Sequence, residues 1–97
     1  MELKLKTPAL IEKEEVLNLR FPAQEVLTSE AAIILRKAEL ERALKLGNIE
    51  HGKIIVIFED MDGVKQVETT IWGVTDKRII LKQGIVIPIH RIHEIKI

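Results

Sequence analysis

The chain has no cysteine and no tyrosine, a single serine, and three aromatic residues in all, Phe21, Phe58 and Trp72, among its 97 residues. Without cysteine there is neither a disulfide framework nor thiolate chemistry. The one serine, Ser29, stands where a helix cap is wanted, and no glycine-rich phosphate loop occurs. Nucleophilic catalysis therefore has little raw material, and the chain is expected not to be an enzyme and to use no cofactor. So few rings exclude the base-stacking platform that small single-strand readers depend on. The formal net charge is zero, which excludes a protein that holds nucleic acid mainly through phosphates. The first residues, Met1-Glu-Leu-Lys-Leu-Lys6, lead into no unbroken apolar block, and no run approaches the length of a membrane span. A cytoplasmic chain without a leader or a membrane anchor is the expectation.

What is present is a core. Apolar residues make up 46% of the chain, enough for one globular domain over residues 1–97. Its character changes at Gly47-Asn48. Ahead of that pair, Ser29 to Leu46 is rich in Ala, Leu, Glu, Lys and Arg, and predicts a helix over residues 28–47. Thr28 or Ser29 caps its start, Glu30 suits the dipole, and Lys45 with Gly47 suits a stop. Ile33, Leu40, Ala43 and Leu44 form one stripe, while Ile34, Leu35 and Ala38 add a second patch. Cover for that second patch is expected from Leu17, Leu19 and Phe21 of an N-terminal arm (residues 1–27), with a second subunit as the alternative. Within the arm, Leu3-Lys-Leu-Lys6 alternates like an edge strand, and residues 8–15 read as a loose connection.

Residues 52–97 read as antiparallel strands. Lys53-Ile-Ile-Val-Ile-Phe-Glu59 is apolar on both faces, and Asp60-Met-Asp-Gly63 carries a hairpin signal. A return strand runs from about Lys65 to Gly73, with Val67, Thr69 and Ile71 alternating against Glu68, Thr70 and Trp72. Thr75-Asp-Lys77 turns into Arg78-Ile-Ile-Leu-Lys82, and Gln83-Gly84 reverses the chain into Ile85-Val-Ile-Pro-Ile89. Pro88 belongs at an edge or a strand end because it cannot donate to a ladder. His90 to Ile97 turns once and finishes as a short strand. The fold class is therefore α+β: one N-terminal helix followed by a curled antiparallel sheet or small barrel of four to five strands.

Charge is segregated within that back half. Residues 50–76 hold six acids against two lysines, a net of −4, and residues 77–97 hold five basic residues against Glu94, a net of +4. Such a dipolar surface can steer a partner. His90 and His93 lie three apart but lack the further ligands zinc needs, so no metal is assigned and they read as rim residues beside a turn. Glu59-Asp-Met-Asp-Gly63 lacks the rest of a calcium loop and reads as a solvated turn.

The helix ending Leu-Glu-Arg-Ala-Leu-Lys-Leu-Gly47, followed by Lys53-Ile-Ile-Val-Ile-Phe-Glu-Asp-Met-Asp-Gly63, Thr69-Thr-Ile-Trp-Gly-Val-Thr-Asp-Lys77 and Ile87-Pro-Ile-His-Arg-Ile92, resembles the order of elements in Sm-like (SH3-like) small β-barrels, including the Rho-inhibiting antiterminator family. The resemblance covers residues 36–97 and implies a helix ahead of five bent strands. The chain departs from the RNA-binding bacterial members in having neither their uridine-stacking aromatic residue nor their closing Tyr-Lys-His signature. The Thr69–Lys77 segment is also similar to one in short bacterial proteins of unknown function. A second resemblance, through Thr75-Asp-Lys-Arg-Ile-Ile80 and Ile87-Pro-Ile89, is to bacterial PH-like interaction domains.

Together these readings point to a non-enzymatic binding module that docks a protein or an RNA through a basic C-terminal rim of Arg78, Lys82, His90, Arg91 and His93. A self-assembling homo-oligomer is the alternative, with Ala31 to Leu35 and the edge around Pro88 pairing subunits.

Overall fold

The computed structural model describes residues 7–97. In chain order it contains β1 (Ala9–Leu10), a 3-10 helix (Lys13–Asn18), α1 (Glu30–Glu50), β2 (Ile54–Asp60), β3 (Gly63–Thr69), β4 (Ile71–Val74), β5 (Arg78–Leu81), a 3-10 turn (Lys82–Gly84), β6 (Val86–Pro88), a second such turn (Ile89–Arg91) and β7 (Ile92–Lys96). The class is α+β. The expected edge strand at Leu3–Lys6 lies outside the described residues, and residues 8–15, expected to be loose, supply β1 and the start of the first 3-10 helix.

Two sheets form, in the orders β1-β3-β2-β7 and β4-β5-β6. This corrects the expected count of four to five strands, and no closed barrel is found among the described residues. The return strand that the sequence carries through to Gly73 breaks at Thr70, between β3 and β4, and so passes from the first sheet to the second. Thr70 O accepts from Lys82 N–H there. A second cause is α1, which packs on β4 and β7, the terminal strands of the two sheets. A helix thus lies where strand pairing would have to close the barrel.

The helix sits mid-chain, behind a structured arm, rather than at the N-terminus. Ser29 Oγ accepts from Ala32 N–H at 3.0 Å, the expected cap. Its other end differs from the expectation: α1 continues through Gly47 to Glu50, and His51 provides the left-handed cap at φ 54°. Gly47 is there for contact. A Cβ at that position would lie 2.3 Å from the backbone oxygen of Ile71, so glycine lets the helix meet β4 at van der Waals distance. Leu40 and Ala43 complete the same buried face.

The core lies between the sheets and this helix face. Val56, Phe58, Val67, Ile71, Ile79, Leu81, Ile87 and Ile92 are fully buried, as β-branched and other large apolar residues on paired strands should be. Asp60 and Gly63 pair across a two-residue hairpin. Its tip is not wholly solvated: Asp60 is buried, with Oδ1 accepting from the backbone of Asp62 and Gly63 and from Lys65 Nζ at 2.6 Å. Glu68, Thr70 and Trp72, expected to share one face, are not treated alike: Trp72 is 52% exposed, whereas Thr70, at the break between β3 and β4, is buried.

Candidate protein-docking groove

An open groove of about 790 Å³ runs between the N-terminal arm and the β5–β6 hairpin. Leu17, Leu19 and Phe21 line it on the arm side, and Arg78, Val86 and Pro88 on the sheet side. Arg78 and Pro88 are register partners across β5 and β6, so their side chains share one face of the sheet. Phe21 in turn rests against Phe58, with ring centroids 6.0 Å apart, which joins the arm to the core.

Tethers hold the arm at this distance from the sheet. Arg20 O accepts from Met61 N–H, and His90 O accepts from Val26 N–H. His90 Nε2 lies 2.9 Å from Pro22 O; a carbonyl only accepts, so this nitrogen carries the proton. Arg91 donates from Nε to Glu59 O and from a terminal nitrogen to Gln24 O, at 2.9 and 2.7 Å. Arg36, also buried, makes a bidentate pair with Glu25 at 2.7 Å on both oxygens and donates to Ile92 O. Hydrogen bonding from Arg36 holds the Glu25 carboxyl below its ordinary value, against an opposing contribution from burial.

The five residues of the expected rim are thereby divided. Arg78 and His90 line the groove, with Lys77 beside them. Lys82 is exposed on the 3-10 turn but does not line it. Arg91 is only 5% exposed and bonded within the chain, so no free guanidinium is offered there. His93 Nε2 lies 2.8 Å from Glu59 Oε1. His90 and His93 are therefore engaged by different partners. Among the described residues no three His, Cys, Asp or Glu side chains are grouped as metal ligands, and no helix is long and apolar enough to cross a membrane.

The backbone of β6 adds a feature that the sequence did not expose. Ile89 N–H donates to Lys77 O, and Leu81 N–H to Ile85 O. In an antiparallel ladder the bonded pairs alternate, so Ile85, Ile87 and Ile89 direct their backbone groups toward β5. Pro88 C=O caps the 3-10 turn that follows, whereas Val86 N–H and Val86 C=O point to the other side, where among the described residues β6 has no neighbouring strand. No hydrogen bond satisfies either Val86 group among the described residues. The arm residues Leu17, Leu19 and Phe21 were legible as apolar, but nothing in their spacing showed that they would face β6 across a gap.

No family model matches the chain, and no curated protein or solved structure is significantly similar to it.

Proposed function

We propose that the chain is a non-enzymatic docking module that accepts an extended segment of a partner protein in the groove alongside β6. The observation that carries this reading is the outer edge of β6, unpaired among the described residues and next to an apolar wall. Backbone groups left on a strand edge are a template for another strand, and strand addition combines that ladder with side-chain pockets for specificity. Leu17, Leu19 and Phe21 offer apolar surface to alternate side chains of the segment, and Lys77 and Arg78 favour a carboxylate on it. With no stacking platform at the groove, a protein segment fits better than RNA.

A photo-reactive residue placed at Val86, and separately at Glu68 on the far side of the first sheet, tests this in cells. Discrete protein adducts at position 86, unaffected by nuclease, lost in the Arg78→Glu background and absent at position 68, support the reading. Nuclease-sensitive adducts, or equal adducts at both positions, overturn it.

A further inference from the structure

The outward face of α1 carries a second surface, independent of the groove. Ile34 and Leu35 are 66% and 59% exposed, against the expectation that the arm would cover them. Ala31 and Ala38, one turn to either side, are exposed too. These four residues lie on one face of the helix and read small, large, large, small from either end.

We infer that a second copy of this chain packs on this face, with its α1 antiparallel to the first about a two-fold axis between Ile34 and Leu35. Under such an axis the same patch serves both subunits and every contact occurs twice. Ile34 then meets Leu35 of the second copy, and Ala31 lies over Ala38. The alanines let the axes approach toward the close end of the 8–10 Å range for packed helices, so that the two large side chains interlock. Charge agrees with this register. Glu30 and Lys37, two turns apart on one flank, are exposed and unpaired among the described residues, and the two-fold sets each beside its opposite in the second copy.

The stripe is smaller than the roughly 800 Å² per partner of a tight complex. Association is accordingly expected to be weak, with a dissociation constant on the order of tens of micromolar.

Sedimentation equilibrium of the full chain from low micromolar to submillimolar concentration tests this. Expected is a monomer–dimer equilibrium whose dissociation constant rises about tenfold or more in Ile34→Lys. Lys37→Glu should weaken it, and Lys37→Glu combined with Glu30→Lys should restore it. Because these positions are exposed, circular dichroism of each variant should be unchanged. The absence of native cysteine allows a direct check of register: Ala31→Cys chains mixed with Ala38→Cys chains should, on oxidation, give the mixed disulfide in preference to either homodimer. A monomer throughout, association undiminished by Ile34→Lys, or a preference for homodisulfides would overturn the inference. None of these outcomes bears on the groove, whose side of α1 is marked by Arg36.

Discussion

Two gaps separate the sheets, and the molecule treats them differently. Between β7 and β4 the gap is filled by α1, whose small residues, Ala43 and Gly47, bring the helix into contact with the strands. Between β6 and the arm the gap is left open. There the arm is held by hydrogen bonds at a few points, to Met61, His90, Arg91 and Arg36, and its apolar side chains face a groove. Close packing over a helix face contributes stability through burial. A tethered arm contributes less of that but keeps a strand edge available to another chain. Stability and docking are thus assigned to opposite ends of the core.

Breaking the filled gap should have the largest effect. Gly47→Ala drives a methyl group into the Ile71 carbonyl oxygen and is expected to destabilise the fold by about 3 kcal/mol, the upper end of overpacking costs. Urea denaturation with an unchanged slope is the check. Next comes the arm tether. Arg91→Ala removes charged hydrogen bonds to Glu59 O and Gln24 O, at an expected cost of about 2 kcal/mol. Limited proteolysis should then cut the arm first, before the sheets.

A pH experiment probes the tether at Arg36. Because the Glu25 pKa is lowered in the folded state, its stabilising contribution is fully present above the ordinary value of 4.5 and is lost as pH falls through the lower, folded value. Glu25→Gln should therefore reduce stability near neutral pH and flatten its decline in acid, as read from thermal midpoints across that range. The smallest effect on stability belongs to the open gap. Arg78→Ala, at an exposed rim position, should change the folding free energy by less than about 0.5 kcal/mol, while removing partner adducts at position 86. A large loss of stability from this variant would erase the distinction between the two gaps.

Much of the fold was legible in local signals. Ala, Leu, Glu and Lys density marked α1, Ser29 marked its start, and Asp60 to Gly63 marked the hairpin. Pro88 does lie on a strand with one edge unpaired among the described residues. Gly47 misled because the same residue serves as a helix stop and as a point of close approach, and only a neighbour distinguishes the two. Arg91 and Arg78 present the same difficulty. One is buried among carbonyls and the other exposed on a rim, although the sequence around each is equally basic and isoleucine-rich. Summed charge along a segment counts both alike, so the rim was legible in composition but not in its membership.

By itself the sequence determined the element types, the hairpin turns and an isoleucine-dense core, because those follow from interactions within a few residues: propensity, alternation and turn geometry. Tertiary structure alone decided that the strands divide into two sheets, that α1 fills one gap while the arm leaves the other open, and that β6 ends its sheet among the described residues. Those outcomes depend on which surfaces meet across tens of residues, and packing between distant segments is not encoded in any local pattern.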